Sequence, residues 1–209
     1  MSLITIPVDA HFIILERTEM YTDRVDANTG GFTQTQYMRR ERKHEVDSGW
    51  DLAGYNSAMA GANAIWEQAG ILFQAGEPVT RRVQPPMDFT YATDGAYQYL
   101  MNHTVGQEGR ITVLLVQKFP RWDQGGDTGR STCILPSTLN AQSRGRVFAH
   151  EFGHLLGLGH PETDDEDTQN LMHPDALAGT ELLDDQMALA RQSELAQRAR
   201  SAVDREDEP

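Results

Sequence analysis

The first part of the chain alternates apolar runs with polar segments, a pattern typical of strands arranged around one long helix. ITIPVDAHFIILE, residues 4–16, is rich in Ile, Val and Phe without helical spacing and predicts a strand. The polar stretch DANTGGFTQTQ, residues 26–36, predicts a turn or hairpin tip. Between residues 51 and 70 the larger apolar residues recur every third or fourth position, which predicts a helix with one buried side. ILFQ, residues 71–74, and RRVQPPMDFTY, residues 81–91, predict two further strands.

The second part of the chain contains the strongest strand pattern. ITVLLVQKF, residues 111–119, is apolar enough for a central strand. CILPS, residues 133–137, predicts a short strand, and its proline favours an edge position because proline cannot donate a backbone hydrogen bond. Residues 142–156 predict a second helix, and residues 176–202 predict a C-terminal helical region.

These elements fit a single domain of residues 1–203, followed by a charged tail at residues 204–209. The chain has 209 residues, of which 39% are hydrophobic, enough to form a substantial core. No internal repeat or long linker divides it. We therefore expect one folded domain.

The charge of the chain limits its partners. A formal net charge of −13 would repel nucleic-acid phosphates and anionic lipids, so we expect no nucleic-acid partner. The basic stretch YMRRERKHE, residues 37–45, is interpreted as a solvated face. No apolar run is long enough to span a bilayer, so we expect no membrane insertion, and we expect a monomer. Localisation stays open: the chain is secreted if a leader was removed, and otherwise cytoplasmic.

Cysteine usage narrows the kinds of metal site that the chain could form. Cys133 is the only cysteine, which excludes an internal disulfide framework and a cysteine-rich structural zinc site. It is interpreted as a small, partly buried residue. Any metal must therefore be held by His, Asp or Glu.

HEFGHLLGLGH, residues 150–160, concentrates three histidines near the end of the second predicted helix. His150 and His154 are four residues apart, so on a helix they share a face and can hold one cation. His160 follows six residues later and would point about 120° away if the helix continued. The helix must therefore end, and Gly157 is the natural point because glycine readily adopts a left-handed conformation.

This HExxHxxGxxH pattern resembles the signature of the metzincin zinc endopeptidases. Met172 in NLMHP resembles their Met-turn; Pro174, two residues later, is similar to the matrixin branch, and Pro161 to the serralysin branch. The resemblance implies a metzincin-like α/β (α+β) zincin fold. Its parts would be a twisted, mostly parallel sheet with an antiparallel edge strand, an active-site helix, a Met-turn and a C-terminal helix. It also implies an upper lobe of about residues 1–158 and a lower lobe of about residues 159–203.

The resemblance implies a zinc-dependent endopeptidase that holds one Zn²⁺ ion. His150, His154 and His160 would be the metal ligands, and Glu151 would activate a water molecule at the zinc. Gly157 and Met172 would support the site. A substrate peptide would bind as an extended strand along the predicted edge strand. The residues given a substrate-binding role are Cys133, Ile134, Leu135 and Pro174.

Two other functions remain open from sequence. The chain could be a catalytically silent binding protein stabilised by zinc, although a structural site needs no base such as Glu151. It could also be a zinc hydrolase of narrow specificity, such as an exopeptidase. The acidic run ETDDED, residues 162–167, could bind Ca²⁺, but it lacks the glycine and alternation of a calcium loop, which favours a solvated loop. The histidines outside the motif are interpreted as ordinary surface or core residues: His11, His44, His103 and His173.

Overall fold

A computed structural model describes residues 2–29, 32–84, 99–100, 109–117, 127–129, 131–161, 168–174 and 179–206. The described residues form seven strands, four α-helices and one 3-10 helix. The strands are β1 (Ile4–Thr29), β2 (Phe32–Val46), β3 (Ile71–Ala75), β4 (Val79–Val83), β5 (Ile111–Val116), β6 (Asp127–Gly129) and β7 (Thr132–Pro136). The helices are α1 (Leu52–Trp66), a 3-10 helix (Glu67–Ala69), α2 (Ala141–Leu155), α3 (Asp184–Gln192) and α4 (Glu194–Glu206).

All seven strands belong to one sheet with the order β2-β1-β5-β7-β6, and β3 and β4 also pair with β1. β1 runs parallel to β3, β4 and β5, and β5 runs parallel to β7. β2 and β6, at the two ends of this order, run antiparallel to their neighbours. The predicted α/β class, with a mostly parallel sheet and an antiparallel edge strand, is confirmed.

The first strand is much longer than its apolar pattern predicts. β1 continues through the polar residues to Thr29, which pairs with Phe32, so the hairpin connection is confined to residues 30 and 31, outside the described residues. Residues 26–29 and 32–36, predicted as part of a turn, are therefore strand. Pairing with β2 supplies the backbone hydrogen bonds that favour this extended form over a loop, although many of the side chains are polar.

β5 is the central strand that its sequence predicts. It lies between β1 and β7, and all six of its residues are buried.

The edge position predicted for CILPS is wrong, because β6 pairs with Thr132, Cys133 and Ile134 of β7. Pro136 is tolerated because it lies beyond the end of the β6 register, where no hydrogen bond to β6 is required. Of the predicted strand 81–91, β4 covers the start, and residues 85–91 lie outside the described residues.

The two longer helices pack on one face of the sheet and cross at two glycines. α1 begins at Asp51, whose carboxylate accepts a hydrogen bond from the Gly54 N–H at 2.6 Å. A methyl group at Gly145 of α2 would lie 2.9 Å from the Cα of Gly61 on α1. The two backbones approach so closely because neither residue has a side chain.

The C-terminal region is helical, as predicted, but it is divided into two helices. Ser193 has an extended backbone, with φ −57° and ψ 153°, which separates α3 from α4. α4 extends to Glu206, so the predicted tail is helical at residues 204–206. Residues 207–209 lie outside the described part.

One hydrophobic cluster joins the sheet, α1, α2 and the C-terminal helices. It includes Ile4 and Val8 of β1, Phe152 of α2 and Ala199 of α4. A smaller cluster around Leu114 lies separately. Among the described residues, no helix combines the length and apolar character needed to cross a membrane.

Candidate metal centre

Helix α2 carries the first two histidines of the motif and is held by a cap at its start and by a side-chain contact directly before His150. The Asn140 side chain accepts a hydrogen bond from the Ser143 N–H at 2.9 Å and caps the start of the helix. The Trp66 indole N–H of α1 donates to the Ala149 carbonyl at 3.0 Å. This buried bond holds α1 against the residue directly before His150.

The helix ends in a left-handed turn at Gly157, as the sequence predicts. Gly157 has a φ of 87°. Its N–H donates to the His154 carbonyl at 2.9 Å, and the Leu158 N–H donates to the Gly153 carbonyl at 2.9 Å. This pair of bonds is a Schellman motif, the helix ending that glycine favours. The chain leaves the helix axis here and brings His160 back to the other two histidines.

The three histidine side chains meet in one cluster. One ring nitrogen from each of His150, His154 and His160 lies within 4.8 Å of the other two. The His150 Nε2 lies 3.1 Å from the His154 Nε2 and 3.3 Å from the His160 Nε2. Among the described residues, this is the group of His, Cys, Asp and Glu side chains that could hold a metal ion.

Backbone carbonyls set the orientation of two of these rings. The His150 Nδ1–H donates to the Leu171 carbonyl at 2.7 Å, and the His154 Nδ1–H donates to the Leu158 carbonyl at 2.9 Å. A carbonyl can only accept, so Nδ1 carries the proton in both rings. In the neutral rings each Nε2 therefore has a free lone pair that is directed into the cluster.

The environment also keeps His150 in the form that binds metals. The pKa of His150 is lowered to about 4, mainly by burial and also by the neighbouring His154 and His160, while the bond to Leu171 opposes the change. The imidazole is neutral at pH 7, and a neutral imidazole binds metal ions.

The donor set fits a zinc ion. The unprotonated Nε2 atoms of His150 and His154 lie 3.1 Å apart, where two lone pairs repel each other unless a cation lies between them. Two nitrogen ligands of a tetrahedral zinc ion with bonds of about 2.0–2.1 Å would be about 3.3 Å apart. The observed spacing matches that value.

Glu151 directly follows His150 on α2, and both Glu151 and Cys133 are buried. Burial, and next the negative charge of Glu151, raise the pKa of the Cys133 thiol well above its usual value. The thiol is therefore protonated and does not belong to the metal-binding group. Cys133 is fully buried, more than its sequence predicts. The catalytic role of Glu151 stays a prediction at this point.

Met172 packs directly against α2. It is fully buried, and a methyl group at Gly153 would overlap its sulfur atom. The Met172 N–H donates to the Asn170 Oδ1 at 2.8 Å, and the His173 N–H donates to the Asn170 carbonyl at 3.1 Å, which closes a tight turn. His173 follows in this turn and does not belong to the three-histidine group.

Sequence reasoning did not identify several residues that shape the site. The sequence does contain a signal for Gly153. A glycine inside a helix lowers the stability of the helix by about 1 kcal/mol relative to alanine, so its presence indicates a close packing contact. Leu158 and Leu171 act through backbone carbonyls, for which the side-chain sequence offers no signal. Asn170 and its contact with Gln186 depend on residues that only the fold brings together.

The structure bears on the predicted substrate-binding strand through its backbone. β6 pairs with the backbone at Cys133 and Ile134, whereas Leu135 lies beyond the β6 register. The substrate-binding role of Cys133, Ile134 and Leu135 stays a prediction. Pro174 is exposed beside the Met172 turn, and its role stays a prediction. The acidic run 162–167 and His103 lie outside the described residues, while His11 and His44 lie on β1 and β2, apart from the cluster.

No known family model matches the chain, and no curated protein matches it. Among solved structures it is similar to the crystal structure of metalloproteinase-II from Bacteroides fragilis, with 12% sequence identity and a TM-score of 0.47. The match covers 90% of this chain and 52% of that one, so the chain spans about half the length of that structure. So distant a likeness assigns neither a family nor an activity.

Proposed function

We propose that the protein is a zinc-dependent metallopeptidase that hydrolyses internal peptide bonds. The observation that carries this proposal is the convergence of the three histidine side chains, His150, His154 and His160, with their ligand atoms within 4.8 Å of one another. Glu151, which is buried and directly follows His150, completes the proposal. The resemblance of the motif to metzincins supports the same function, and the turn at Met172 would be the Met-turn of a matrixin-like protein.

The three histidines would hold the zinc through Nε2. Three protein ligands are typical of catalytic zinc sites, whereas structural sites normally use four. When bound, zinc would lower the pKa of a water molecule and polarise the substrate carbonyl. The Leu171 and Leu158 carbonyls would keep two of the rings in the required orientation.

Glu151 would move the proton. Glu151 directly follows His150 on α2 and is not part of the three-histidine group, a position from which its carboxyl group would reach a metal-bound water. The carboxylate would accept a proton as the water oxygen bonds to the peptide carbon, and it would donate that proton to the nitrogen when the C–N bond breaks. Burial protects this exchange from bulk water.

The substrate would bind as an extended strand at the outer end of the sheet. Among the described strands, β6 ends the order on the side of β7, and its outer edge would accept a further strand. Main-chain hydrogen bonds to β6 would hold a peptide in mid-chain, a geometry that favours internal cleavage. In this proposal β6 takes the edge position that the sequence predicts for β7.

The test combines metal analysis with cleavage of a peptide library. We expect about one zinc ion per chain, cleavage at internal bonds, loss of cleavage with a chelator and recovery with added zinc. Cleavage only at chain ends would contradict an endopeptidase in favour of an exopeptidase. Zinc binding without cleavage of any peptide would instead indicate a silent binding protein.

Substitution of Glu151→Gln tests the proton-transfer role. The amide cannot accept the proton, so we expect kcat to fall by about a hundred-fold or more while zinc content is unchanged. Glu77→Gln, an exposed position between β3 and β4, is the matched control and should leave both quantities unchanged. Wild-type turnover by the Glu151 variant would exclude this mechanism.

A further inference from the structure

Two side-chain amides connect the Met172 turn to the start of α3. The Asn170 Nδ2 donates to the Gln186 Oε1 at 3.0 Å, and the Gln186 Nε2 donates to the Asn170 Oδ1 at 3.2 Å. Asn170 is only 1% exposed. A buried amide is costly unless its hydrogen bonds are satisfied, so this reciprocal pair stabilises Asn170 in one position.

The Asn170 side chain also holds the orientation of the peptide group between Leu171 and Met172, which contacts the metal centre. Its Oδ1 accepts a hydrogen bond from the Met172 N–H at 2.8 Å. This N–H and the Leu171 carbonyl belong to the same planar trans peptide, in which they point in opposite directions. The Leu171 carbonyl accepts the bond from His150 Nδ1 at 2.7 Å. Holding the N–H therefore holds the carbonyl that orients His150.

The hydrogen-bond donors around the pair allow only one orientation of the two amides. The Leu183 N–H donates to the Gln186 Oε1 at 3.1 Å, so the oxygen must occupy that position. The Gln186 NH₂ group then faces the Asn170 Oδ1, which must also accept from Met172. Reversing either amide would place a donor against a donor. The start of α3 therefore determines that Asn170 Oδ1, and not its NH₂ group, faces the Met172 N–H.

A separate backbone contact anchors the preceding peptide. The Leu171 N–H donates to the Glu181 carbonyl at 2.7 Å, and this bond involves neither amide side chain. Removing the amide pair would therefore leave the segment attached to the protein. It would release only the peptide whose carbonyl meets His150.

We propose that Asn170 and Gln186 are positioning residues that orient the His150 imidazole, through the Leu171–Met172 peptide, so that Nε2 faces the metal. This inference rests on the metal centre of the proposed function. It assigns the two residues no contact with substrate or metal. They act on the direction of the ring alone.

A pair of variants at Asn170 tests the role of its side-chain oxygen as the acceptor for the Met172 N–H. Asn170→Ala removes it, whereas Asn170→Ser keeps an oxygen that can accept the N–H two residues later. We expect the alanine variant to bind zinc about ten-fold more weakly than the wild type, in competition with a chelator, and the serine variant to recover part of that loss. In the metal-free protein, the NMR signal of the His150 Nδ1 proton should broaden in the alanine variant and persist in the serine variant.

Variants at Gln186 test the second amide. Gln186→Met removes both polar atoms, while Gln186→Glu retains oxygens that accept from Leu183 and Asn170. We expect zinc affinity to fall several-fold in the methionine variant and less in the glutamate variant. Gln192→Met, at an exposed glutamine of the same helix, is the matched control and should bind zinc as the wild type does.

A purely structural role would lower the melting temperature without changing the His150 proton signal or the zinc affinity, and that result would overturn the inference. A wild-type protein that binds no zinc would instead contradict the proposed function. In that case the His150 proton signal, measured on metal-free protein, would still decide whether the amide pair orients the ring.

Discussion

Gly157 shows how one residue determines whether three histidines can share an ion. Its φ of 87° lies in the left-handed region, and a side chain there would meet no neighbouring atom within 4 Å. The requirement for glycine is therefore conformational and not a matter of space. The turn directs His160 toward His150, to which its Nε2 lies at 3.3 Å.

Gly157→Val should weaken zinc binding although it changes no ligand. A β-branched residue in the left-handed region costs about 1–3 kcal/mol, and the metal-free chain can relieve that strain by displacing His160. Zinc must then restore the strained turn, so its affinity should fall by about ten-fold to a hundred-fold, measured by chelator competition.

Gly159→Val is the matched control for this prediction. Gly159 is exposed, its φ is not left-handed, and an added side chain would meet nothing within 4 Å. Zinc affinity should be unchanged there. Equal losses in the two variants would contradict the conformational role of Gly157.

At the scale of elements, the crossing of α1 and α2 sets the position of the metal-binding helix. Gly61 and Gly145 bring the two backbones into contact, and the Trp66 indole bonds to the Ala149 carbonyl one turn further along α2. The helical periodicity in the sequence predicts both helices and their buried sides. It does not predict the crossing point, which depends on two glycines that are 84 positions apart in the chain.

Gly145→Ala should destabilise the protein. The added methyl group would lie 2.9 Å from the Gly61 Cα and 3.2 Å from its carbonyl carbon, and backbone atoms cannot move aside cheaply. We expect the free energy of unfolding to fall by about 1–3 kcal/mol, measured with urea, despite the better helix propensity of alanine.

A change on the exposed side of the same helix pair provides the comparison. Ser57→Ala on α1 adds no contact, because Ser57 faces solvent, and it should change stability by less than about 0.5 kcal/mol. If Gly145→Ala were as stable as the wild type, the close crossing would not constrain the two helices.

At the scale of the whole molecule, polar contacts join segments that are far apart in the sequence. The Arg191 guanidinium of α3 donates to the Ala69 carbonyl at 2.6 Å and to the Ser2 carbonyl at 2.9 Å. Asp9 of β1 accepts two hydrogen bonds from Arg110, at 2.7 and 2.6 Å, directly before β5. The sequence contains these residues but offers no means of pairing them.

The Asp9–Arg110 pair predicts a pH dependence of stability. The hydrogen bonds from Arg110 lower the pKa of Asp9, although partial burial opposes the change. A carboxyl group with a lowered pKa in the folded state stabilises the protein above its unfolded pKa of about 3.9. That contribution is lost as the pH falls through the folded pKa.

Asp9→Asn should therefore lower the free energy of unfolding at pH 7 by about 0.5–1 kcal/mol, a modest amount because the pair is partly exposed to solvent. In urea titrations the difference from the wild type should begin to shrink as the pH falls below about 4, and it should disappear only when Asp9 of the folded wild type is itself protonated. A difference that stayed constant from pH 7 to pH 3 would show that the ion pair is not its cause.

The sequence by itself determined the features that depend on neighbouring residues. The spacing of His150 and His154, the helix end at Gly157 and the central strand β5 follow from local periodicity and backbone preferences, and the structure contains all three. Local patterns succeed here because a helix or strand brings residues at fixed separations together without reference to the rest of the chain.

Only the tertiary structure decided how the strands pair and what orients the His150 ring. β6 covers β7, so the predicted edge is internal, and the polar half of β1 is a strand because β2 pairs with it. The carbonyl that orients His150 comes from Leu171, 21 residues away, and it is held by an amide pair that reaches α3. Such contacts join residues distant in sequence, and their energy exists only after the chain has folded.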